Sequence, residues 1–319
     1  MKKEEYDILN LINEGRSINE IAGLLSLSCQ EVYEVLRRFK NHGYHLLHHF
    51  YPNGQMHSTM NNEDKTFNHK IITSSKKDEL ELLVISDLHF GSIYENKEYL
   101  NVIYDYCTKE GLHLLINLGD FVEGEVNLKN IIVPPYKQIE HALSNHPQSN
   151  DILELLLLGN HDYSLLTNYH IDVIKEILTS RSDIIPLGYA EKEIDIKNDS
   201  IVLRHPTWEF EKGTYCHKLI LSGHGHQARI HMDSANTVVY LPSLSDLNLN
   251  KSHFPGALRL KLKMRCGLIE YIVLEELTIV NHKMYTTNDI NLFVGMNKSF
   301  RNNAKVYNEG EYVKVKKKV

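Results

Sequence analysis

The chain has 319 residues, of which 42% are hydrophobic and 24% charged, and its formal net charge is −6 at pH 7. These values are typical of a globular protein with one large or two smaller domains, and the net charge excludes a general attraction to nucleic acid or to an anionic membrane. No apolar run approaches the roughly 18 residues that a membrane-spanning helix needs, so we expect no membrane partner.

The cysteines and the first residues predict the compartment. The four cysteines are scattered and form no C-x-x-C pair, which argues against a zinc ribbon or a disulfide framework. The first ten residues, MKKEEYDILN, lack the apolar centre of a signal peptide. Both features favour the reducing cytoplasm.

Residues 4–42 predict three short helices. Ile8 and Ile12 belong to an apolar stripe on the first, and the sequences SINE (17–20) and SCQE (28–31) are capping boxes that begin the second and third. Helices that begin about eleven residues apart are typical of a helix-turn-helix. The turn signal Pro52-Asn53-Gly54 then predicts a hairpin. Residues 1–60 therefore resemble a winged-helix domain.

The role of this domain is open between two interpretations. Arg37, Arg38 and Lys40 cluster at the end of the third predicted helix, where they could contact DNA phosphates. Glu31 and Glu34 on the same helix oppose that interpretation and favour a small protein-docking module. In the second case the domain would serve assembly, and the protein could be an oligomer.

Residues 61–78 are polar and show no periodic apolar positions, which predicts a linker.

From residue 79 onward one pattern recurs: a short apolar run ends in a polar cluster. The clusters, in chain order, are Asp87-Leu88-His89, Gly119-Asp120, Gly159-Asn160-His161-Asp162, His205, and Gly223-His224-Gly225-His226. Continuous apolar runs indicate strands that are buried on both faces. In layered α/β folds, sites form at the carboxyl ends of such strands, so we expect the clusters to converge.

The residue types of these clusters indicate a metal centre. Asp, His and Asn suit Mn, Fe, Zn or Ni, and no thiolate is among them. The polar groups are too many for one ordinary ion, but they suit two ions about 3.5–4 Å apart that share a carboxylate and stabilise an in-line displacement at phosphorus. Gly119, Gly159 and Gly223 precede the expected ligands and allow the backbone to turn sharply.

The motifs DLH, GD, GNHD, a single His and GHGH, in this order over roughly residues 80–250, resemble the calcineurin-like metallophosphoesterase superfamily. The resemblance implies an α/β fold in which a two-sheet β-sandwich is flanked by helices. It also implies an enzyme that hydrolyses a phosphoester through attack by a metal-bridging hydroxide. The motifs are specific for the superfamily and not for a substrate.

The resemblance also assigns roles, beginning with two divalent metal ions, among which Mn²⁺ is favoured and Fe, Zn or Ni are alternatives. The implied ligands are Asp87, His89 and His226 for the first ion, Asn160, His205 and His224 for the second, and Asp120 as a bridge between both. His161 would not bind metal but would act as general acid for the leaving oxygen or stabilise the transition state. Asp162 would orient its imidazole.

The segments around the motifs carry weaker signals. Glu123 and Glu125 lie near Asp120, either at the rim of the site or as solvated loop carboxylates. Alternating patterns after residue 255 predict antiparallel strands. We therefore expect the phosphoesterase domain to span residues 79–285. Residues 286–319 would form a C-terminal extension whose basic end, YVKVKKKV, is either a solvated tail or a phosphate contact.

Three functions follow from this organisation. The first is a phosphodiesterase or nuclease that acts on nucleic acid, because a helix-turn-helix is fused to the predicted metal centre. The second is a small-molecule phosphatase or cyclic-nucleotide phosphodiesterase whose N-terminal domain serves assembly. The third is a DNA-binding regulator with an inactive phosphoesterase fold, against which the complete set of expected ligands argues.

Overall fold

The computed structural model describes residues 2–61, 69–72, 78–206, 218–232, 236–247 and 254–293. The helices are α1 (Lys3–Asn13), α2 (Ile18–Leu25), α3 (Cys29–Asn41), α4 (Lys97–Glu110), α5 (Pro135–Asn145), α6 (Asn160–Tyr169) and α7 (Val173–Ser180), with a 3-10 turn at Leu128–Asn130. The strands are β1 (His45–Phe50), β2 (Met56–Asn61), β3 (His69–Ile71), β4 (Glu79–Ile85), β5 (Leu114–Leu118), β6 (Leu153–Leu158), β7 (Ile184–Tyr189), β8 (Glu191–Ile196), β9 (Asp199–Arg204), β10 (Lys218–Ser222), β11 (Arg229–Met232), β12 (Asn236–Tyr240), β13 (Gly256–Arg265), β14 (Leu268–Val280) and β15 (Lys283–Phe293). Across these ranges, the helices are all too short or too polar to span a bilayer.

The strands form two sheets, which confirms the predicted two-sheet α/β architecture. In the part of the chain that the structure describes, one sheet has the order β11-β12-β10-β9-β8-β3-β1-β2 and the other the order β15-β14-β13-β4-β5-β6-β7. Strands β4 to β7 run parallel, and so do β9, β10 and β12. The predicted antiparallel strands after residue 255 are β13 and β14.

The leucine-rich strand β6 explains why its apolar run is continuous. Leu153, Leu155 and Leu157 face the core between the two sheets, whereas Leu156 and Leu158 face the helices on the other side. Alternate side chains of a strand point to opposite faces, so a strand covered on both faces must be apolar at both. Full burial of each leucine contributes about 1.5–3 kcal/mol.

Helices α4 to α7 cover the outer face of the parallel strands. Leu100 and Ile103 of α4, Ile139 of α5, Leu165 of α6 and Ile177 of α7 are buried in one cluster with that face. The same helices connect the parallel strands, so the loops at the carboxyl ends of the strands are left open at one edge of the sheet.

The N-terminal helices α1 to α3 have a core of their own, and their predicted caps are present. The side chains of Ser17 and Ser28 accept hydrogen bonds from the backbone N–H groups of Glu20 and Glu31, and each glutamate accepts from the backbone N–H of its serine at 2.8 Å. These reciprocal bonds satisfy backbone donors that a helix start leaves free. The helices and the hairpin β1–β2 therefore occur in the predicted order.

The structure differs from the predicted division at residue 60. Strand β1 pairs in parallel with β3, and β3 pairs in parallel with β8, so the hairpin extends the eight-stranded sheet. Part of the predicted linker is thus a strand, His69–Ile71. The reason lies in tertiary packing: pairing across the boundary places Phe50 and Ile71, both fully buried, in the core between the two sheets.

The predicted domain end at residue 285 also differs from the structure. Strand β15 pairs with β14 from Lys283 to Phe293, and Leu292 is buried in the core between the sheets. The predicted C-terminal extension therefore begins inside a strand. Its basic end, residues 312–319, lies outside the described residues.

We expect Phe50→Ala to destabilise the whole protein, because the cavity opens in the core shared by both sheets. The unfolding free energy should fall by about 3–5 kcal/mol, the usual range for a buried aromatic side chain. Differential scanning calorimetry should show one transition at a lower temperature. Phe254→Ala, at an exposed position, is the matched control. Two transitions, of which only the smaller shifts, would show that residues 1–60 fold apart from the rest.

Candidate active site

The five polar clusters meet at one edge of the molecule. Asp87 and His89 follow β4, Asp120 follows β5, and Asn160 begins α6 directly after β6. The other two clusters follow β9 and β10 of the second sheet. The site therefore lies where the carboxyl ends of parallel strands from both sheets come together, as the strand pattern predicts.

The carboxylate of Asp120 lies at the centre of this edge. Its Oδ1 accepts a hydrogen bond from the backbone N–H of His161 at 3.0 Å. Its Oδ2 lies 3.0 Å from Nε2 of His205, 3.9 Å from Nε2 of His89 and 4.0 Å from Nε2 of His161. Three imidazoles from both sheets thus surround one buried oxygen.

One group of side chains that could hold a metal ion forms around Asp87. Its Oδ1 lies 3.0 Å from Nε2 of His226 and 3.8 Å from Nε2 of His89. Asp87, His89, Asp120 and His226 each offer a ligand atom, and these atoms lie within 4.8 Å of one another. The three residues expected to bind the first ion are thus brought together with the expected bridge.

A second group forms on the other side of Asp120. Asp120, His205 and His224 offer ligand atoms that lie within 4.8 Å of one another. Oδ1 of Asn160 lies 3.1 Å from Nδ1 of His224, so the amide belongs to the same group. Asp120 is common to both groups, which is the arrangement that the sequence predicts.

The atoms that face this centre fit divalent cations. Oδ1 of Asp87, Nε2 of His89, Oδ2 of Asp120 and Nε2 of His205 are all buried, and none makes a hydrogen bond of normal geometry. An unsatisfied buried polar group costs about 1–3 kcal/mol, so four that converge on one place are a costly arrangement for the protein alone. Carboxylate oxygens and imidazole nitrogens are ligands that divalent transition metals accept.

Hydrogen bonds at the opposite ring nitrogen orient three of the imidazoles. Nδ1 of His205 donates to the carbonyl of Leu118, and Nδ1 of His161 donates to the carbonyl of Glu123. Nδ1 of His89 donates to the carboxylate of Glu123 at 2.9 Å. Each bond places Nε2 toward the centre and fixes the ring, as the outer partners of metal-binding histidines do.

Glu123 was left open by the sequence and is a buried part of the site. Only 2% of the residue is exposed, and its carboxylate and carbonyl hold His89 and His161. The signal in the sequence is its position three residues after Asp120, which alone does not separate a buried partner from a solvated carboxylate. Glu125 instead lies further out, where it accepts hydrogen bonds from Asn168 and Tyr169.

Asp162 has a different role from the predicted one. Its carboxylate accepts hydrogen bonds from the backbone N–H groups of Gly159 at 2.8 Å, Val122 at 3.0 Å and Phe121 at 3.2 Å. These bonds join the loop after β6 to the loop after β5. The carbonyl of Glu123 orients the imidazole of His161, the role that was expected of Asp162. The sequence did not indicate this contact.

The backbone of the site is strained at five of the expected metal ligands. Among the described residues, Asp87, His89, Asp120, His224 and His226 all have positive φ, between 50° and 68°. A side chain in this left-handed region costs of order 1–3 kcal/mol and persists where the surrounding structure imposes it. Five strained residues in one centre indicate that the chain gives up stability to aim these side chains.

The glycines before the ligands serve mainly to leave space. Gly119, with φ of 91°, needs the conformational freedom that the sequence predicts. At Gly159 a Cβ atom would lie 2.3 Å from Oδ1 of Asp120, and at Gly223 it would lie 2.4 Å from the carbonyl oxygen of Leu118. A side chain at either position would therefore displace the groups that form the centre.

Burial and neighbouring charges determine the protonation of Asp120, His205 and Asp162. Burial opposes ionisation of Asp120, but His205 and His161 outweigh it and hold the pKa of Asp120 well below its usual range. Burial likewise lowers the pKa of His205, but Asp120 and Asp87 outweigh it and raise this pKa to about 9. Burial and the Asp120 carboxylate raise the pKa of Asp162 to about 7. At neutral pH, and in the protein alone, Asp120 is therefore ionised and the positively charged imidazole of His205 lies beside it.

The predicted DNA-contacting side chains lie on the exposed face of α3. Arg37 forms an ion pair with Glu34 at 2.7 Å, and Arg38 forms one with Glu5 at 3.3 Å. Lys40 is exposed. On the same helix, the hydroxyl of Tyr33 donates to the carboxylate of Asp172 at 3.1 Å, which joins α3 to the cap of α7.

Comparison with known proteins gives one family match. A family model described as calcineurin-like phosphoesterase matches residues 80–257. No curated protein matches the chain.

Several solved structures are similar to the chain at low identity. They include Yfce, a phosphoesterase from E. coli (14% identity, TM-score 0.41, 68% of this chain and 100% of that chain), and Vps29 from Entamoeba histolytica complexed with Zn²⁺ (11% identity, TM-score 0.36, 68% and 100%). A third is GAP50, the anchor in the inner membrane complex of Plasmodium (12% identity, TM-score 0.40, 69% and 90%).

Divalent metal should stabilise the protein through Asp120. Mn²⁺ at a hundredfold excess over its dissociation constant should raise the unfolding free energy by about 2.7 kcal/mol for one site, because a ligand that binds only the folded state stabilises it. Asp120→Asn should lose most of this gain, since one carboxylate serves both groups. Thermal unfolding of both proteins, with Mn²⁺ and with a chelator, measures this gain in stability. Asp105→Asn, at an exposed aspartate, is the control. An undiminished Mn²⁺ effect in Asp120→Asn would contradict the shared role.

Replacing the side chain of Glu123 should weaken metal binding without removing the support of His161. Glu123→Ala frees Nδ1 of His89, and loss of such an outer partner costs roughly 10–100-fold in metal affinity. The carbonyl that holds His161 is backbone and remains. Mn²⁺ titration should therefore show weaker binding, with kcat restored at saturating Mn²⁺. Glu125→Ala is the matched control. A kcat at saturating Mn²⁺ that stays as low as in His161→Ala would refute this separation of roles.

Proposed function

The chain belongs to the calcineurin-like phosphoesterase family, and on that premise we propose that it hydrolyses phosphoesters with two divalent metal ions, Mn²⁺ being favoured. The observation that carries the proposal is the carboxylate of Asp120, common to two groups of ligand atoms. The first ion would be held by Asp87, His89 and His226, the second by Asn160, His205 and His224, and Asp120 would bridge them. Donors that are all oxygen or nitrogen support Mn²⁺ over metals that prefer thiolates.

The chemistry divides between the ions and the protein. When bound, the ions would supply Lewis-acid activation of the phosphoryl group and of the attacking water. The protein contributes a rigid set of ligands, because hydrogen bonds at Nδ1 hold the rings of His89 and His205 in place. Its buried carboxylates supply the negative charge that two divalent ions require.

His161 has the position of a general acid. Its Nδ1 donates to the carbonyl of Glu123, so Nε2 faces the centre, 4.0 Å from Oδ2 of Asp120. Its side chain is 14% exposed, so a substrate can reach it. Protonated at Nε2, it would transfer that proton to the leaving oxygen as the bond from phosphorus to that oxygen breaks. The leaving group would then depart as a neutral alcohol.

Removal of His161 should slow turnover and leave metal binding intact. For His161→Ala we expect kcat to fall by roughly 10²–10⁴, the usual contribution of general acid catalysis. The loss should be smaller for p-nitrophenyl esters, whose leaving group needs little protonation. Kinetics with matched alkyl and nitrophenyl esters, together with elemental analysis, tests both points. His231→Ala, an exposed histidine on β11, is the control. Loss of metal from His161→Ala would instead make this residue a ligand.

For the substrate we propose a phosphodiester of nucleic acid. Support comes from the order of helices α1 to α3 and from the basic side chains at the end of α3. The ion pairs of Arg37 and Arg38 reduce the free positive charge, which supports only weak DNA binding.

The full chain should bind duplex DNA weakly and with a shallow salt dependence. Contacts to two or three phosphates predict a log–log slope of roughly −2 to −3. Fluorescence anisotropy with labelled duplex measures it, and Arg37→Ala/Arg38→Ala should lose most of the binding. The control, Lys263→Ala/Arg265→Ala, removes the same charge at exposed positions near the end of β13. Absence of binding at low salt would favour the alternative, a small-molecule phosphatase or cyclic-nucleotide phosphodiesterase, which a substrate screen in Mn²⁺ identifies.

A further inference from the structure

A buried polar cluster lies outside the candidate active site, among the side chains between the parallel strands and the helices that cover them. It consists of Tyr104 on α4, Asn117 on β5, His146 at the end of α5 and Glu154 on β6. On the premise of the proposed metal-dependent function, we propose that His146, held by Glu154, is a positioning residue for the metal centre. It acts through the rings of Phe90 and Phe121.

The carboxylate of Glu154 joins the members of this cluster. Its Oε2 accepts a hydrogen bond from the hydroxyl of Tyr104 at 3.0 Å, and its Oε1 accepts one from the amide of Asn117 at 2.9 Å. Nε2 of His146 lies 3.1 Å from Oε2, and both side chains are fully buried. Burial opposes ionisation of Glu154, but His146 and the two hydrogen bonds outweigh it and lower the pKa of this carboxyl. Glu154 is therefore charged at neutral pH.

The ring of His146 is held at both nitrogens and through its backbone. Nδ1 donates to the carbonyl of Pro147 at 3.0 Å, since a carbonyl can only accept, and Nε2 then faces Glu154. Arg181 donates to the carbonyl of Pro147 at 2.7 Å and to that of His146 at 3.3 Å. The carboxylate of Asp183 holds the guanidinium of Arg181 through two bonds of 2.7 Å. These contacts fix the position and the orientation of the imidazole.

Stability alone does not account for this cluster. Removing two ionisable groups from water is costly, and well-packed apolar side chains of similar volume are often at least as stable. A buried polar network adds directional contacts, which specify one arrangement of the groups around it. The use of the cluster should therefore lie in what the ring of His146 contacts.

That ring packs against two buried phenylalanines next to expected metal ligands. The centre of the His146 ring lies 5.6 Å from that of Phe121 and 6.3 Å from that of Phe90, and the two phenyl rings are 5.6 Å apart. Phe90 directly follows His89, and Phe121 directly follows Asp120. The backbone N–H of His89 donates to the carbonyl of Asp120 at 2.9 Å, and that of Phe90 donates to the carbonyl of Phe121 at 3.0 Å. A shift of these phenyl rings would therefore move the backbone that carries both ligands.

Two double variants test whether the ring at position 146 sets the affinity for metal. His146→Leu/Glu154→Gln removes the ring, whereas His146→Phe/Glu154→Gln keeps a flat ring, and neither leaves a buried charge without its partner. By isothermal titration calorimetry, the leucine variant should bind Mn²⁺ about tenfold more weakly than the wild-type protein, at the low end of the loss that removal of an outer partner causes. The phenylalanine variant should bind Mn²⁺ with close to wild-type affinity.

Phe50→Leu is the control for a general loss of stability. Phe50 is fully buried between the two sheets, in a cluster separate from the one that contains Phe90 and Phe121. Thermal unfolding without metal ranks the stability of all variants, and the titrations are made where each is folded. Phe50→Leu should lower the unfolding temperature and keep the wild-type affinity for Mn²⁺. If the leucine variant does not fold, His146→Met/Glu154→Gln replaces it with the same expected result.

The outcomes separate this inference from the function on which it rests. Wild-type affinity in the variant without the ring would overturn the positioning role. Equal weakening in both double variants would assign the effect to the lost ion pair and would also overturn a role of the ring. Weakening of the same size in Phe50→Leu would reduce the effect to stability, with the same consequence. Absence of Mn²⁺ binding by the wild-type protein would instead overturn the proposed metal-dependent function, and this inference with it.

Discussion

The structure depends on a buried carboxylate, that of Asp120, which faces imidazoles from both sheets. Its Oδ2 has His205 at 3.0 Å and two further imidazoles within 4.0 Å, yet makes no hydrogen bond of normal geometry. A buried charge is stable only when it is paired or bound to a cation. Much of the surrounding architecture serves to bring this oxygen together with the expected ligand atoms of Asp87 and His89.

That placement has a cost, which the rest of the fold offsets. Five expected ligands have strained backbone, and four buried atoms lack hydrogen bonds. Strands that are leucine-rich on both faces supply the compensating burial, since each fully buried leucine contributes about 1.5–3 kcal/mol. The site is rigid for the same reason: the loops that carry the ligands are the immediate continuations of the strands in this core. Asp162 strengthens the arrangement by joining two of these loops through backbone N–H groups.

The sequence predicts those parts of the structure that local order determines. The apolar runs and the clusters that end them predict the parallel strands and their common edge, and the serine caps of α2 and α3 occur as expected. Pairing over long distance was not predictable: the strand at His69–Ile71 is only three residues long, and its register depends on Phe50 and Ile71 filling a core formed by other strands. The roles of Glu123 and Asp162 were also hidden, because a carboxylate in a loop can face solvent, a ring or a backbone amide, and only the fold selects among these.

The central claim is that one carboxylate joins two metal ions, and magnetic coupling tests it most directly. Ions about 3.5–4 Å apart that share a ligand are expected from the two groups of side chains around Asp120. Electron paramagnetic resonance of the protein loaded with two equivalents of Mn²⁺ should show the multiline signal of a spin-coupled pair, and Asp120→Asn should show only isolated Mn²⁺. An isolated-ion spectrum from the wild-type protein at full loading would contradict the bridged centre.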